Sequence, residues 1–114
     1  MPNKPIYKRR EWKRIRASVL QRDCYQCQEC KRTGDDVVAN TVHHTEPGDD
    51  SKFYDTQYMI SLCNEHHEAM HDRNNGRLTE TGKYWLMRSK RGMIRAVFDY
   101  DDSPPPQMSI NADT

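Results

Sequence analysis

Two short spacings, Cys27-x-x-Cys30 and Cys63-x-x-His66, stand thirty-three residues apart from Cys30 to Cys63 and limit this chain's folds more than any other feature. Two thiolates on one tight turn reach a single tetrahedral ion, and a distant second pair closes the site as Cys₃His. The rest of the chain has need of such a staple. Its 114 residues are only 34% hydrophobic, its mean hydropathy is −1.11, and so polar a chain cannot build a thick apolar core. The N-terminal text "MPNKPIYKRREWKRIR" is basic and has no apolar run, so neither a cleavable leader nor a membrane span is expected. The expected compartment is a reducing cytoplasm, where clustered cysteines hold metal more often than they form disulfides. Cys24, three residues before Cys27, reads as a spare thiol, with Cys24/Cys27 open as an alternative pair.

The five histidines sort into an adjacent pair, His43-His44, and the group His66, His67 and His71 within "SLCNEHHEAMH". A helix is expected there, with Asn64 as its N-cap and "NNG" at 74–76 as its stop. On a helix, positions i and i+4 share one face while neighbours diverge by about 100°. His67 and His71 therefore form a matched pair for one ion, and His66 turns away toward the cysteines. His43 and His44 end a predicted strand, "VVANTVHH", and consecutive strand residues face opposite sides. One of the two would complete a three-histidine metal site. The other would stand free beside it, as suits a general base whose pKa lies near working pH. Spacing does not say which histidine takes which role.

Around these motifs the organisation is α+β. Residues 10–23 carry Trp12, Ile15, Val19 and Leu20 at helical spacing, with cationic residues on the remaining faces. "CYQCQECKRTGDD" reads as a turn-rich segment, "YMISL" (58–62) as a short returning strand, and 79–98 as a second small basic helix with a strand after it. The expected divisions are a basic arm at 1–9, one domain at 10–98 with its core motif at 24–73, and an acidic, Pro-rich tail at 99–114 without fixed structure. The net charge of +1 hides segregation: residues 1–34 hold ten Lys/Arg against three Asp/Glu, 35–57 hold one against six, and 71–95 hold seven against two. Two basic blocks on one small domain suit a phosphate-binding face, though solvated helix faces carry similar runs. Tyr84-Trp85 fits packing against the domain better than stacking on bases.

In order and type, "CQEC", "VHH", "YMISLC" and "NEHHEAMH" resemble the HNH endonuclease family and its ββα-metal fold. That family's pattern runs CxxC, a strand ending in Asp-His or His-His, an Asn-bearing segment, then LCxxCH and often a further His. The resemblance spans roughly residues 12–73 and implies a small ββα-metal fold with a zinc-stapled N-terminal helix and loop. By position it implies His43, His67 and His71 as ligands of the catalytic metal and His44 as the base that activates water. It implies Cys27, Cys30, Cys63 and His66 as ligands of a structural zinc, with His66 where the family usually has cysteine. The family Asn, nine residues before the first helix ligand, falls on Tyr58, so Gln57 or the Tyr58 hydroxyl would take over its bracing of the loop.

The implied activity is metal-dependent hydrolysis of DNA phosphodiesters with one divalent ion (Mn²⁺, Ni²⁺, Zn²⁺ or Mg²⁺). Lys8, Arg9, Arg10, Lys13, Arg14, Arg16 and the Lys/Arg of 83–95 would contact DNA phosphates, and Arg73 or Arg77 would touch the scissile region if not simply solvated. Short basic proteins of this layout are similar to HNH proteins encoded by bacteriophages, some of which assist terminase in packaging. That implies a bacterial host cytoplasm and packaging partners. Two other classes compete. A non-catalytic zinc module binding nucleic acid or a partner would use the same cysteines but has no need of His43, His44, His67 and His71 together. A redox or disulfide-framed protein leaves the patterned histidines unexplained.

Overall fold

The computed structural model describes residues 9–97; the arm before residue 9, Phe98 and the 99–114 tail lie outside the described residues. The element order is α1 (Arg9–Arg22), α2 (Gln28–Arg32), β1 (Thr41–His44), β2 (Met59–Leu62), α3 (Asn64–Glu68) and α4 (Glu80–Lys90), with 3-10 turns at Asp50–Lys52 and Thr56–Tyr58 between the strands. The expected mixed fold is present: two antiparallel strands and a short helix, flanked by α1 and α4.

Helix α1 forms where the apolar spacing predicts it, and Ile15, Val19 and Leu20 are buried against β2 and Met70 in one core, with Trp12 packed at its edge. The arginine at the end of α1 does not lie on a solvated face. Arg22 uses all of its donors internally: Nε and Nη2 bind the Asp23 carboxylate at 2.9 Å each, Nη2 also donates to the Met59 carbonyl, and Nη1 donates to the carbonyls of Thr56 and Arg95. Asp23 in turn accepts the Ser61 N–H at 3.0 Å. A charge this deep is tolerable only when every proton is placed, and here it ties α1, β2 and the chain after α4 together. Cys24 and Tyr25 both sit at φ 56, so the chain reverses immediately after α1 into the cysteine turn.

The strands pair with Thr41↔Leu62, Val42↔Ser61, His43↔Ile60 and His44↔Met59 in register. The strand expected over 37–44 is shortened to its last four residues. Val37 and Ala39 bond back to Cys27 and Tyr25, so 37–39 serves the cysteine turn and leaves Val38 72% exposed.

The helix at the histidines also differs from expectation. Its N-cap is Cys63 in place of Asn64, and it closes at Glu68 with Ala69 as C-cap, so His71 lies beyond it. The returning chain takes the open carbonyls: Thr79 donates its N–H to Met70 and its hydroxyl to Ala69. A Cβ on Gly82 would stand 2.5 Å from the Met70 carbonyl oxygen, so the approach of α4 needs glycine. Met70 is fully buried. Asp72 and Gly76 (φ 72) then turn the chain so that His71 bridges to Leu78. The "NNG" signal marks this turn, not the end of the helix. No strand follows α4 among the described residues.

Candidate metal centres and active site

Cys27 is the N-cap of α2 and Cys30 lies within its first turn, Cys63 caps α3, and His66 lies one turn into it. Their ligand atoms all lie within 4.8 Å of one another. The Cys30 Sγ is 3.9 Å from Cys63 Sγ, and His66 Nδ1 is 3.6, 3.3 and 3.6 Å from the sulfurs of Cys27, Cys30 and Cys63. A tetrahedral zinc with ordinary bond lengths requires edges of about 3.8 Å between sulfurs and about 3.6 Å from sulfur to nitrogen. The four residues fit that ion. Cys24 is exposed and outside the cluster, which decides between the alternative cysteine pairs.

The electrostatics agree. Burial and the neighbouring Cys27 and Cys63 thiols push the Cys30 thiol up to about 12, since crowded sulfurs resist holding several negative charges. Burial also acts to raise Cys63, but the N–H groups of His66 and Glu65 at the start of α3, with the Cys27 and Cys30 thiols, bring it below its ordinary value. Beneath this turn, Glu29 is 5% exposed and accepts both Arg32 nitrogens, at 2.9 and 2.7 Å, and the Trp85 Nε1–H at 2.8 Å. Burial acts against its ionisation, and these hydrogen bonds outweigh it to hold the carboxyl low. Trp85 is therefore a buried strut for the cysteine turn, and its hydrogen-bond partner Glu29 gave no sign in sequence beyond standing inside the CxxC.

The second histidine group assembles without a common helix. The His43 ring lies 5.7 Å from that of His67 and 5.6 Å from that of His71, both edge-on. Beyond the end of α3, the bridge to Leu78 fixes the chain at His71, whose ring still meets that of His43. His43 is 2% exposed and its Nε2 is buried with no hydrogen-bond partner. A buried unpaired imidazole nitrogen is costly, and a metal ion is the partner that three imidazoles suit. Burial first, then the repulsion of His67, His71 and His44, lowers His43 to about 3; burial and His71 lower His67 as well. Both rings are thereby held neutral, the form that binds metal.

His44, on the opposite strand face, joins none of these rings. Its Nε2 lies 3.0 Å from the Phe53 carbonyl oxygen. Its ring stacks on Phe53 at 4.4 Å and 18° and on Trp12 at 5.1 Å and 24°, and Trp12 and Phe53 are 5.3 Å apart, so the three rings form a triangle. Burial lowers His44, partly opposed by the Phe53 carbonyl. The sequence pointed to neither Phe53 nor Trp12 as a neighbour of His44. The available signal was an apolar residue in the otherwise polar 45–58 loop.

Tyr58, at the family Asn position, bonds through its backbone: its carbonyl accepts the Thr45 N–H at 2.8 Å. Its ring lies under Lys52 Nζ at 4.6 Å, and Lys52 also reaches Asp49 at 3.6 Å and Glu46 at 3.9 Å. Asp49 and Asp55 cap the two 3-10 turns by accepting the N–H groups of Ser51 and Gln57. The loop carrying Phe53 is thus fastened along its length.

Of the cationic residues expected at DNA, Lys8 lies outside the described residues and Arg9 is placed only as the start of α1. Arg10 and Lys13 are exposed, Arg14 is half-buried, and Arg16 is half-buried and spends a donor on the Asn40 carbonyl at 2.8 Å. Arg73 and Arg77 are exposed on the turn between His71 and Leu78. Among the described residues, no helix is long and apolar enough to cross a membrane.

The family profile described as HNH endonuclease matches residues 27–73, the span from the first zinc-site cysteine to just past His71. Among solved structures, the chain is similar to the HNH endonuclease of the deep-sea thermophilic bacteriophage GVE2, crystallised with a manganese ion. The two share 36% identity over 54% of this chain and 68% of that one, with a TM-score of 0.51. No curated protein matches the chain. The matched span holds all seven residues of the cysteine-built and histidine-built groups and His44 beside them, and the chain belongs to the HNH endonuclease family.

Proposed function

We propose that this protein is a metal-dependent DNA endonuclease that hydrolyses phosphodiester bonds. His43, His67 and His71 hold one divalent ion, His44 is the general base, and Cys27, Cys30, Cys63 and His66 hold a structural zinc. The observation that carries this reading is the buried, unpaired Nε2 of His43 among three converging imidazoles, one strand position from a histidine turned the other way. The manganese ion in the GVE2 relative supports a divalent ion at such a site.

The chain's own groups define the proton's path. The Phe53 carbonyl accepts the Nε2–H of His44, which leaves Nδ1 as the atom bearing the lone pair. Nδ1 takes a proton from a water molecule, and the resulting hydroxide attacks phosphorus in line with the leaving 3′-oxygen. The P–O3′ bond breaks, the leaving 3′-oxygen takes a proton from solvent, and the products carry a 5′-phosphate and a 3′-hydroxyl. A bound divalent ion supplies positive charge to the phosphate and the leaving oxygen. Exposed Arg10, Lys13, Arg73 and Arg77 bind backbone phosphates with little sequence choice. The phage origin of the relative supports a phage or prophage setting in a bacterial cytoplasm, with terminase-linked packaging as the role proposed.

The test is supercoiled plasmid incubated with the zinc-loaded protein and Mn²⁺, Ni²⁺, Zn²⁺ or Mg²⁺ in turn. Nicking by the wild type and its loss in His44→Ala at unchanged metal content are expected. A His44→Ala protein that nicks as fast as wild type removes the base assignment. A wild type inert with every ion leaves a zinc-stabilised binding module.

A further inference from the structure

A cavity of about 180 Å³ opens between the end of α1, the start of α2, α4 and the chain that follows it, and none of Cys27, Cys30, Cys63, His66, His43, His67 or His71 lines it. Its charge is one-sided. Arg22 and Asp23 form part of the wall but neutralise each other, with every Arg22 donor already used. Two more guanidinium groups, Arg88 and Arg95, line the same space, and no carboxylate pairs with either among the described residues. The Nε of Arg88 is fully enclosed and has no hydrogen-bond partner. Its guanidinium lies 5.8 and 5.7 Å from the ring centres of Tyr84 and Trp85 on the same helix, which hold the side chain against the protein. Arg95 is exposed, and its carbonyl is anchored by Arg22 at 2.8 Å.

We infer that this cavity is a second anion site, taking one backbone phosphate of bound nucleic acid between Arg88 and Arg95. Three features favour a phosphate. The outer nitrogens of a guanidinium form a fork that matches paired phosphate oxygens, and the enclosed Nε of Arg88 gives nothing to a competing protein partner. The cavity is open on one side and lined mostly by polar groups, so a charged phosphate can enter from solvent while Trp85 and Ile94 back the Arg88 side chain. Ile60, the strand residue lining the cavity, is the register partner of His43, so this site and the histidine group are built on neighbouring strands of one ladder. A phosphodiester chain engaged at the histidines would gain a second hold on the protein here. The inference rests on the reading of the protein as a DNA-binding nuclease.

The test measures duplex binding without added divalent ion, as a function of salt, for the zinc-loaded full chain. Arg88→Ala is expected to weaken binding about tenfold and to reduce the slope of log K against log salt by about 1. Arg95→Ala does the same. Because both groups serve one phosphate, the double variant loses no more slope than either single one. Arg88→Lys keeps the slope but loses part of the affinity, since an ammonium lacks the fork. In a direct readout, the NMR signal of Arg88 Nε–H moves on addition of inorganic phosphate or duplex, and that of Arg22 does not. Thermal midpoint and zinc content serve as folding controls, and exposed Arg95 carries the test if Arg88→Ala does not fold.

Slopes equal to wild type in both variants, or an Arg88 signal unmoved by phosphate and duplex, overturn the site. A protein that shows these shifts but cuts nothing keeps the site and loses the nuclease reading. One that cuts DNA with unaltered slopes keeps the nuclease reading and loses the site.

Discussion

Phe53 meets His44 twice, through a carbonyl oxygen 3.0 Å from Nε2 and through a ring stacked at 4.4 Å. One loop residue therefore fixes both which nitrogen of His44 carries the proton and how the ring is turned. Trp12, from a helix some thirty residues earlier in sequence, completes the triangle at 5.1 Å. The carbonyl cannot be removed by substitution, but the ring that seats it can. Phe53→Ala is expected to lower kcat for plasmid nicking by about 10–100-fold, in the range of other lost supports around reactive groups. KM and zinc content stay near wild type. Phe53→Tyr keeps the stack and the rate. A Phe53→Ala enzyme with wild-type kcat would show that the stack does not position the base.

The Asn position of the family is where this chain departs most, and its contacts give the departure a specific test. The Tyr58 ring lies under Lys52, the residue immediately before Phe53, at 4.6 Å. A cation over an aromatic face is attracted by the ring's negative quadrupole. Only the ring is used in that contact. Tyr58→Phe should leave nicking unchanged, while Tyr58→Ala and Lys52→Ala should each lower it several-fold and Lys52→Arg should restore it. If Tyr58→Phe alone is slow, the hydroxyl is the working group, as one sequence reading had it.

How much of this was visible in the sequence follows from the range of each interaction. The divergence of His66 from His67 depends only on helical geometry, and it puts His66 at the sulfurs and His67 beside His43 as expected. The convergence of His71 was expected for a different reason, because no local signal shows Thr79 capturing the Ala69 and Met70 carbonyls from ten and nine residues away. Arg22 was expected on a solvated helix face and Glu29 carried no signal at all, since their partners, Thr56, Met59 and Arg95 for one and Trp85 for the other, are set by tertiary packing. Periodicity found the core of α1, and motif spacing found the cysteines and histidines that stand together. What escaped were the polar contacts that hold those pieces together.

Zinc should act as part of the fold. Burial and the neighbouring thiols push the Cys30 thiol up to about 12, so a bound ion would supply the attraction that crowded sulfurs lack for one another. Cys27→Ser should remove about one equivalent of zinc and unfold the domain or drop its thermal midpoint sharply. Chelation of wild type should do the same, with loss of near-ultraviolet circular dichroism from Trp12 and Trp85. A chelated protein that keeps its midpoint argues that the cluster is not a zinc site.

Acid should act through the histidines before it reaches the carboxylates. The folded value of His43, about 3, lies below its ordinary 6.5, with burial as the main cause. The unfolded chain therefore binds the proton more readily. Stability is complete above pH 6.5 and is lost as pH falls toward the folded value, by about 2 kcal/mol between pH 6.5 and 5 for this one group. His44 and His67 are shifted the same way and add to the loss. His43→Leu fills a comparable buried space with nothing to protonate. Its thermal midpoint should fall less than that of wild type between pH 7 and pH 5, both measured without added divalent ion and with zinc content monitored. Equal falls in the two proteins would assign the acid sensitivity to the cysteine cluster instead.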